Sequence, residues 1–316
     1  MSNVPATPPK GLAFGALAAM AGAVGFATKG LFAKKLYEHG WTYDAVQVAR
    51  MWLALPVFWL WGWLRVGRPL LRPPPKALLG AACAGLVCYH FGAMINFYAL
   101  TLIDASLERV LLFTYPSMVV LVYSILYRRL PDRNVVLALL ATFIGIVAAV
   151  SGLDPAILRA NMHGALLVLV CAASTTAYFL ASDRWTPQVG SVTFTVWAMS
   201  AASTGLALQA LWAPSARPPV PGPSDLPLLL GLVGIATVFA MLATAEGVRR
   251  LGAQRAAVVS TVGPPATILL AVPLLGERLN LAQWLGVALI IAGILFMELA
   301  RTKAAVIRGQ APSGGR

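Results

Sequence analysis

Charge is scarce in this chain. Asp, Glu, Lys and Arg make up 11% of its 316 residues, where a soluble globular protein carries about 25%. A water-facing surface needs those charges. Their shortage, with 59% apolar residues and a mean hydropathy of +0.77, excludes an ordinary soluble fold and makes lipid the main solvent. Acidic residues are fewer still, 11 against 24 Lys and Arg, leaving a net charge of +13. Nucleic-acid readers gather such an excess along one face or groove. Here the basic residues sit in short clusters between apolar runs, as in cytoplasmic loops beside anionic head groups, so no nucleic-acid partner is expected. The three cysteines, Cys83, Cys88 and Cys171, are odd in number, fall inside apolar runs and show no metal spacing with histidine. They read as small buried hydrophobes, with no metal site. There is no phosphate loop and no nucleophile with a matched base. No catalytic residue, no cofactor and no enzymatic activity are therefore expected. The polar, proline-rich stretch before Gly11 leads into an apolar run without a small-residue cleavage signature, so that run is expected to stay as a helix.

What the chain has instead is long apolar runs. A helix needs roughly 20 mostly apolar residues to cross a hydrocarbon core ~30 Å thick. Ten such runs occur, at 11–32, 44–66, 77–100, 105–127, 134–152, 163–182, 190–212, 226–248, 254–275 and 281–300. They predict an all-α integral membrane protein with ten transmembrane helices, embedded in a lipid bilayer. The longest spacer, Ala213 to Pro227, holds six prolines and reads as an extended extramembrane loop. With ten spans, 16 of the 24 Lys and Arg fall on the side of the termini and 6 on the other, while Lys29 and Arg50 lie within helices. Positive charge favours the cytoplasm, which places both termini there, in the inner membrane.

A shift of 148 residues superimposes the second half on the first from the third run onward, laying Pro116 on Pro264 and Gly145 on Gly293. A unit with an odd number of spans inserts its two copies in opposite orientations. The layout expected is two five-helix inverted repeats, 11–152 and 163–300, joined by a linker at 153–162 and flanked by cytoplasmic tails at 1–10 and 301–316. Inverted repeats belong chiefly to transporters.

The stretch Arg250-Leu251-Gly252-Ala253-Gln254-Arg255-Ala256-Ala257 leading to Pro264, followed by Leu275-Gly276-Glu277-Arg278-Leu279, Gln283, Gly286 and Gly293, resembles the last three helices of the drug/metabolite transporter superfamily in its EamA-type members. The first half departs from the pattern: Arg129 stands where Glu277 stands in the second. Through Tyr89 and the Phe113-Thr114-Tyr115-Pro116 run the chain is also similar to the YddG type of aromatic amino-acid exporter. These resemblances imply a secondary transporter that exports small metabolites, amino acids with aromatic or other apolar side chains first among them.

A carrier's site belongs near the bilayer midplane, lined by groups that are costly against lipid. Tyr89 and His90 fit that depth in the third run; His90 suits either a substrate contact or an interhelical hydrogen bond. Phe113 and Tyr115 precede Pro116, where a missing donor invites a kink, and Pro264-Pro265 does the same in the other half. Thr175, Tyr178 and Trp197 complete an expected aromatic lining with a few hydroxyls. Arg50, about two turns into its helix, suits a substrate carboxylate or a structural partner. Lys29 reads as a helix-end residue that snorkels, Glu246 as a local partner of Arg249 and Arg250, and Trp59, Trp61 and Trp63 as an interfacial belt. Gly11, Gly15, Gly22 and Gly25 offer a small surface for close helix approach. No ATP-using motif is present, so facilitated diffusion by alternating access is expected, with proton exchange and a channel-like pore as alternatives. The oligomeric state is left open, and a monomer satisfies the layout.

Overall fold

The computed structural model describes residues 10–126, 128, 133–251, 256 and 259–307, and all regular structure among them is helical. Arg129, the stretch 252–255 and the outer parts of both tails lie outside the described residues. Six helices are long and apolar enough to cross a membrane: Ala13–Glu38, Pro75–Ala99, Ala105–Leu126, Pro155–Val189, Ser191–Trp212 and Asp225–Leu251. Val136–Ser151, Gly263–Leu275 and Leu281–Phe296 are apolar but shorter. Large apolar side chains such as Ile125 and Leu64 face outward, 76% and 74% exposed, which only a lipid surround satisfies.

Several of these helices are interrupted. The first is α1 (Lys10–Ala27) and α2 (Lys29–Glu38), parted at Thr28, whose hydroxyl donates to the Gly25 carbonyl at 2.7 Å. After α3 (Tyr43–Val66) come α4 (Pro75–Gly85), a π-helical stretch at Leu86–Gly92, and α5 (Ala93–Ala99). Next are α6 (Ala105–Leu112) and α7 (Tyr115–Leu126), separated at Phe113-Thr114. Pro116 therefore opens the first turn of a new helix, where its missing N–H costs nothing, instead of kinking a continuous one. The chain continues through α8 (Arg133–Ser151), α9 (Pro155–Val189) and α10 (Ser191–Trp212). Then come α11 (Asp225–Leu230), a second π-helical stretch at Gly231–Phe239, and α12 (Ala240–Leu251). The last two are α13 (Gly263–Leu275) and α14 (Leu281–Ile307). Pro264 and Pro265 likewise stand in the opening turn of α13.

The stretch 153–162 is mostly the first turns of α9, because Asp154 caps it by accepting the Ala156 N–H at 2.7 Å and Pro155 starts it. The 213–227 spacer has a single 3-10 turn at 214–216, is irregular over 217–222 and is tied down at both ends. Ser215 donates to Asp44 at 2.7 Å, Thr42 donates to the Ser215 carbonyl at 2.6 Å, and His39 meets Asp225 at 2.7 Å. Short polar side chains at the ends of α2, α3 and α11 thus tie it across the bundle.

Helix α8 packs along α14 and α1 along α12, while α9 packs against α4, α5, α6 and α7. Glycine permits the closest approaches. A Cβ on Gly145 would stand 2.8 Å from the Gly286 carbonyl oxygen, and one on Gly293 would stand 2.9 Å from that of Ala138. Gly15, Gly22 and Gly25 meet α12 and the π-helical stretch before it in the same manner, so that surface is used for packing.

Candidate functional site

The two π-helical stretches widen the helical turn and leave carbonyls in need of other partners. In the first, the Tyr89 carbonyl accepts the Gln47 side-chain amide of α3 at 2.8 Å. In the second, the Leu232 carbonyl accepts the Thr237 hydroxyl at 2.8 Å. The Gln47 contact docks α3 against the centre of the third apolar run and carries Arg50, one turn further on, into the interior.

Four of the expected rings, Tyr89, Tyr178, Tyr115 and Phe113, join with Phe179 into a continuous string. Tyr89 lies edge-on to Tyr178 with centroids 5.0 Å apart, and Tyr178 is 6.0 Å from Phe179. Phe179 stacks on Tyr115 at 5.1 Å, and Tyr115 meets Phe113 at 6.0 Å. Thr175 sits beside the start of the string, its hydroxyl donating to the Cys171 carbonyl at 3.0 Å and 4.0 Å from the Cys88 sulfur. Two expected members lie elsewhere. His90 turns toward α10, where Gly205 leaves room for its ring and Gln209 Oε1 lies 2.9 Å from its Nε2. Trp197 donates to the Leu70 carbonyl at 2.9 Å and lies edge-on to Trp59 at 5.4 Å, at the margin of the ring cluster.

Beside the string is a buried polar group. Lys29 is 8% exposed and does not snorkel; its ammonium donates to Asn96 Oδ1 at 2.5 Å and to Glu108 Oε1 at 3.1 Å. The same Glu108 oxygen accepts Asn96 Nδ2 at 2.6 Å. The reason is the length of α2, which runs nine residues beyond Lys29 to Glu38, about 14 Å at 1.5 Å per residue. Lys29 Nζ and the Arg50 guanidinium both lie over Phe97, 5.6 and 5.0 Å from its centroid. Arg50 is 8% exposed; its Nη2 lies 3.7 Å from Met51 Sδ, and its Nε has no partner. Arg109 lies inside α6. Its guanidinium is 6.0 Å from the Phe113 centroid, and its Nε is likewise unpartnered.

Glu277 reaches across to α6. Its carboxylate accepts the N–H groups of Ala105 at 2.6 Å and Ser106 at 3.1 Å, capping the helix that bears Glu108 and Arg109. Lys34 stands 3.9 Å from Glu277 and 3.8 Å from Asp104. Burial, then the adjacent Glu277, pushes the Asp104 carboxyl above its ordinary range, with Lys34 opposing. A groove of about 480 Å³ lies away from all this, between Trp52, Leu53, Ala207, Pro218 and Pro221, and holds none of the expected site residues.

The EamA-like transporter family model matches the chain twice, over residues 13–151 and 162–299. The chain belongs to the EamA-like transporter family. It is 32% identical over 298 residues to the uncharacterized transporter YcbK of Bacillus subtilis, covering 91% of this chain and 94% of that one. It is 26% identical over 196 residues to the uncharacterized inner membrane transporter YicL of Salmonella typhimurium, covering 62% and 65% respectively. A solved crystal structure of a protein 19% identical superimposes with a TM-score of 0.61 over 93% of this chain and 99% of that one, a likeness of fold alone. This EamA-like transporter is thus a multi-pass membrane protein that moves small molecules. Sequence reasoning missed Asn96, Phe97, Glu108, Arg109 and Phe179. The first four are polar or aromatic residues near the ends of apolar runs, where such residues are common, and only the packing of α2, α5 and α6 brings them together. Phe179 differs from its apolar neighbours only in packing.

Proposed function

We propose that this transporter is a secondary carrier that exports small metabolites across the inner membrane, chiefly amino acids with aromatic or other apolar side chains, by alternating access and down their own gradient. Ten helices would cross the bilayer as two inverted five-helix repeats with both termini in the cytoplasm. The double family match, the π-helical stretches at 86–92 and 231–239 and the breaks before Pro116 and Pro264 support that layout. Interrupted helices are where carriers form their sites and bend.

The observation that carries the cargo assignment is the ring string from Tyr89 to Phe113 with buried Arg50 one turn beyond Gln47, whose amide donates to the Tyr89 carbonyl. Rings receive an apolar or planar body, and a guanidinium receives a carboxylate. The resemblance to YddG-type exporters at Tyr89 and at Phe113-Thr114-Tyr115-Pro116 belongs with this assignment. Glu108, a carboxylate in the interior, is the observation that favours a second reading, exchange against protons. Reconstitution in liposomes tests the carrier itself. Uptake that saturates and is competed by unlabelled substrate is expected, whereas linear, non-saturating ion conductance would identify a channel. Uptake unchanged when a pH gradient is imposed or collapsed would reject proton exchange.

A further inference from the structure

The charges within the bundle do not balance. Lys29, Arg50 and Arg109 bring three cations into the region where α2, α3, α5 and α6 meet, and Glu108 brings one carboxylate, already shared by Lys29 and Asn96. Among the described residues the other buried carboxylates are held at helix ends. Asp44 accepts the Ala45 N–H and the Ser215 hydroxyl at the start of α3, and Glu277 caps α6. Neither Arg50 nor Arg109 has an ion pair among the described residues, and the Nε of each is buried without a partner. The start of α13 increases the imbalance. Arg109 Nη2 would stand 3.0 Å from a Cβ on Gly263, the first residue of that helix, so a cation faces the positive end of a helix dipole. An uncompensated buried charge costs far more than a paired one, and in a membrane such groups mark substrate paths.

Building on the carrier reading above, we propose that the cargo is recognised as an anion. An organic carboxylate with an aromatic or apolar body supplies the missing negative charge to Arg50 and lies along the ring string. Arg50 lies one turn beyond Gln47, whose amide donates to the Tyr89 carbonyl at one end of the string, and Arg109 lies over Phe113 at the other, so cations bracket the rings. A guanidinium offers a carboxylate two parallel N–H donors. Among the described residues no unpaired carboxylate remains to balance a cargo ammonium, because Glu108 is already engaged by Lys29, and the buried acceptor left open beside Tyr89, Gln47 Oε1, is neutral. This narrows the amino-acid reading above to the carboxylate and the side chain: the deaminated 2-oxo acid, which brings no cation to be balanced, is the better substrate.

Three radiolabelled compounds with one body separate the possibilities in proteoliposomes carrying the full chain: phenylpyruvate as the anion, phenylalanine as the zwitterion and phenethylamine as the cation. The expected result is saturable uptake of phenylpyruvate at least tenfold more efficient than that of phenethylamine, with phenylalanine between. Arg50→Gln should lower phenylpyruvate uptake at least tenfold, and Arg50→Lys should restore part of it. If Arg50→Gln fails to fold, the three-compound comparison on the unaltered protein remains decisive. Saturable phenethylamine uptake equal to or above that of phenylpyruvate would leave the carrier standing and overturn the anion. Absence of phenylpyruvate uptake overturns it whatever the other two do. Linear flux of all three would remove the carrier itself.

Discussion

The two matched halves share their backbone devices but not their chemistry. Each has a π-helical stretch in its third segment, at 86–92 and 231–239, and a break just ahead of a proline, at 113–114 and 261–262. Each has a glycine pressed on the other's final helix, Gly145 and Gly293. The side chains at equivalent positions diverge: at a spacing of 148, Asn96 corresponds to Thr244, Glu108 to Ala256, Arg109 to Ala257 and Phe113 to Thr261. The mechanical elements are duplicated, and the first half alone keeps the ionised cluster.

The sharpest way to break this comparison is to give the first half the second half's residue. Glu108→Ala leaves Lys29 buried and unpaired and is expected to cost about 3–5 kcal/mol of stability, seen as a lower melting temperature in detergent. The double variant Lys29→Met with Glu108→Leu, which removes both charges, should regain most of it. Next come the shared devices. Gly145→Leu and Gly293→Leu should each cost about 1–3 kcal/mol through overpacking, and by similar amounts. A clear inequality would show that the α8–α14 contact is not equivalent from its two sides. Tyr89→Leu, which cuts the ring string at its first contact, should cost about 0.5–1.5 kcal/mol beyond lost burial.

The smallest effect is at Asp104. A carboxyl pushed up in the folded protein adds stability only below its ordinary range and loses it as pH rises through the folded value. Asp104→Asn should therefore raise the melting temperature near pH 7 and leave it unchanged near pH 4.

Much of the helical layout was legible because lipid imposes run lengths that composition reveals directly. Family membership was legible in the Gly276-Glu277-Arg278 stretch and its surroundings, and both family matches agree with it. The polar cluster was not. By composition the first run ends before Lys34, Lys35 and Glu38, yet the helix continues through them, and the extra turns carry Lys29 inward. Glu108 and Arg109 stand at the start of a run, the usual place for interfacial charge; only Glu277 reaching over from the second half, and the approach of α2 and α5, enclose them. The π-helical stretches have no composition of their own. His90 faces α10 and not the ring string, because consecutive residues of a helix point about 100° apart and Tyr89 takes the side toward Tyr178.

The carrier proposed for this EamA-like transporter recognises its cargo through the asymmetric charge of the first half. Concentration-dependent uptake by the purified protein in liposomes, with and without Arg50→Gln at matched expression and folding, is the direct test of this mechanism. Saturating, self-competed uptake in the unaltered protein and at least a tenfold loss in the variant are expected. Non-saturating flux, or saturating uptake equal in both proteins, would contradict it.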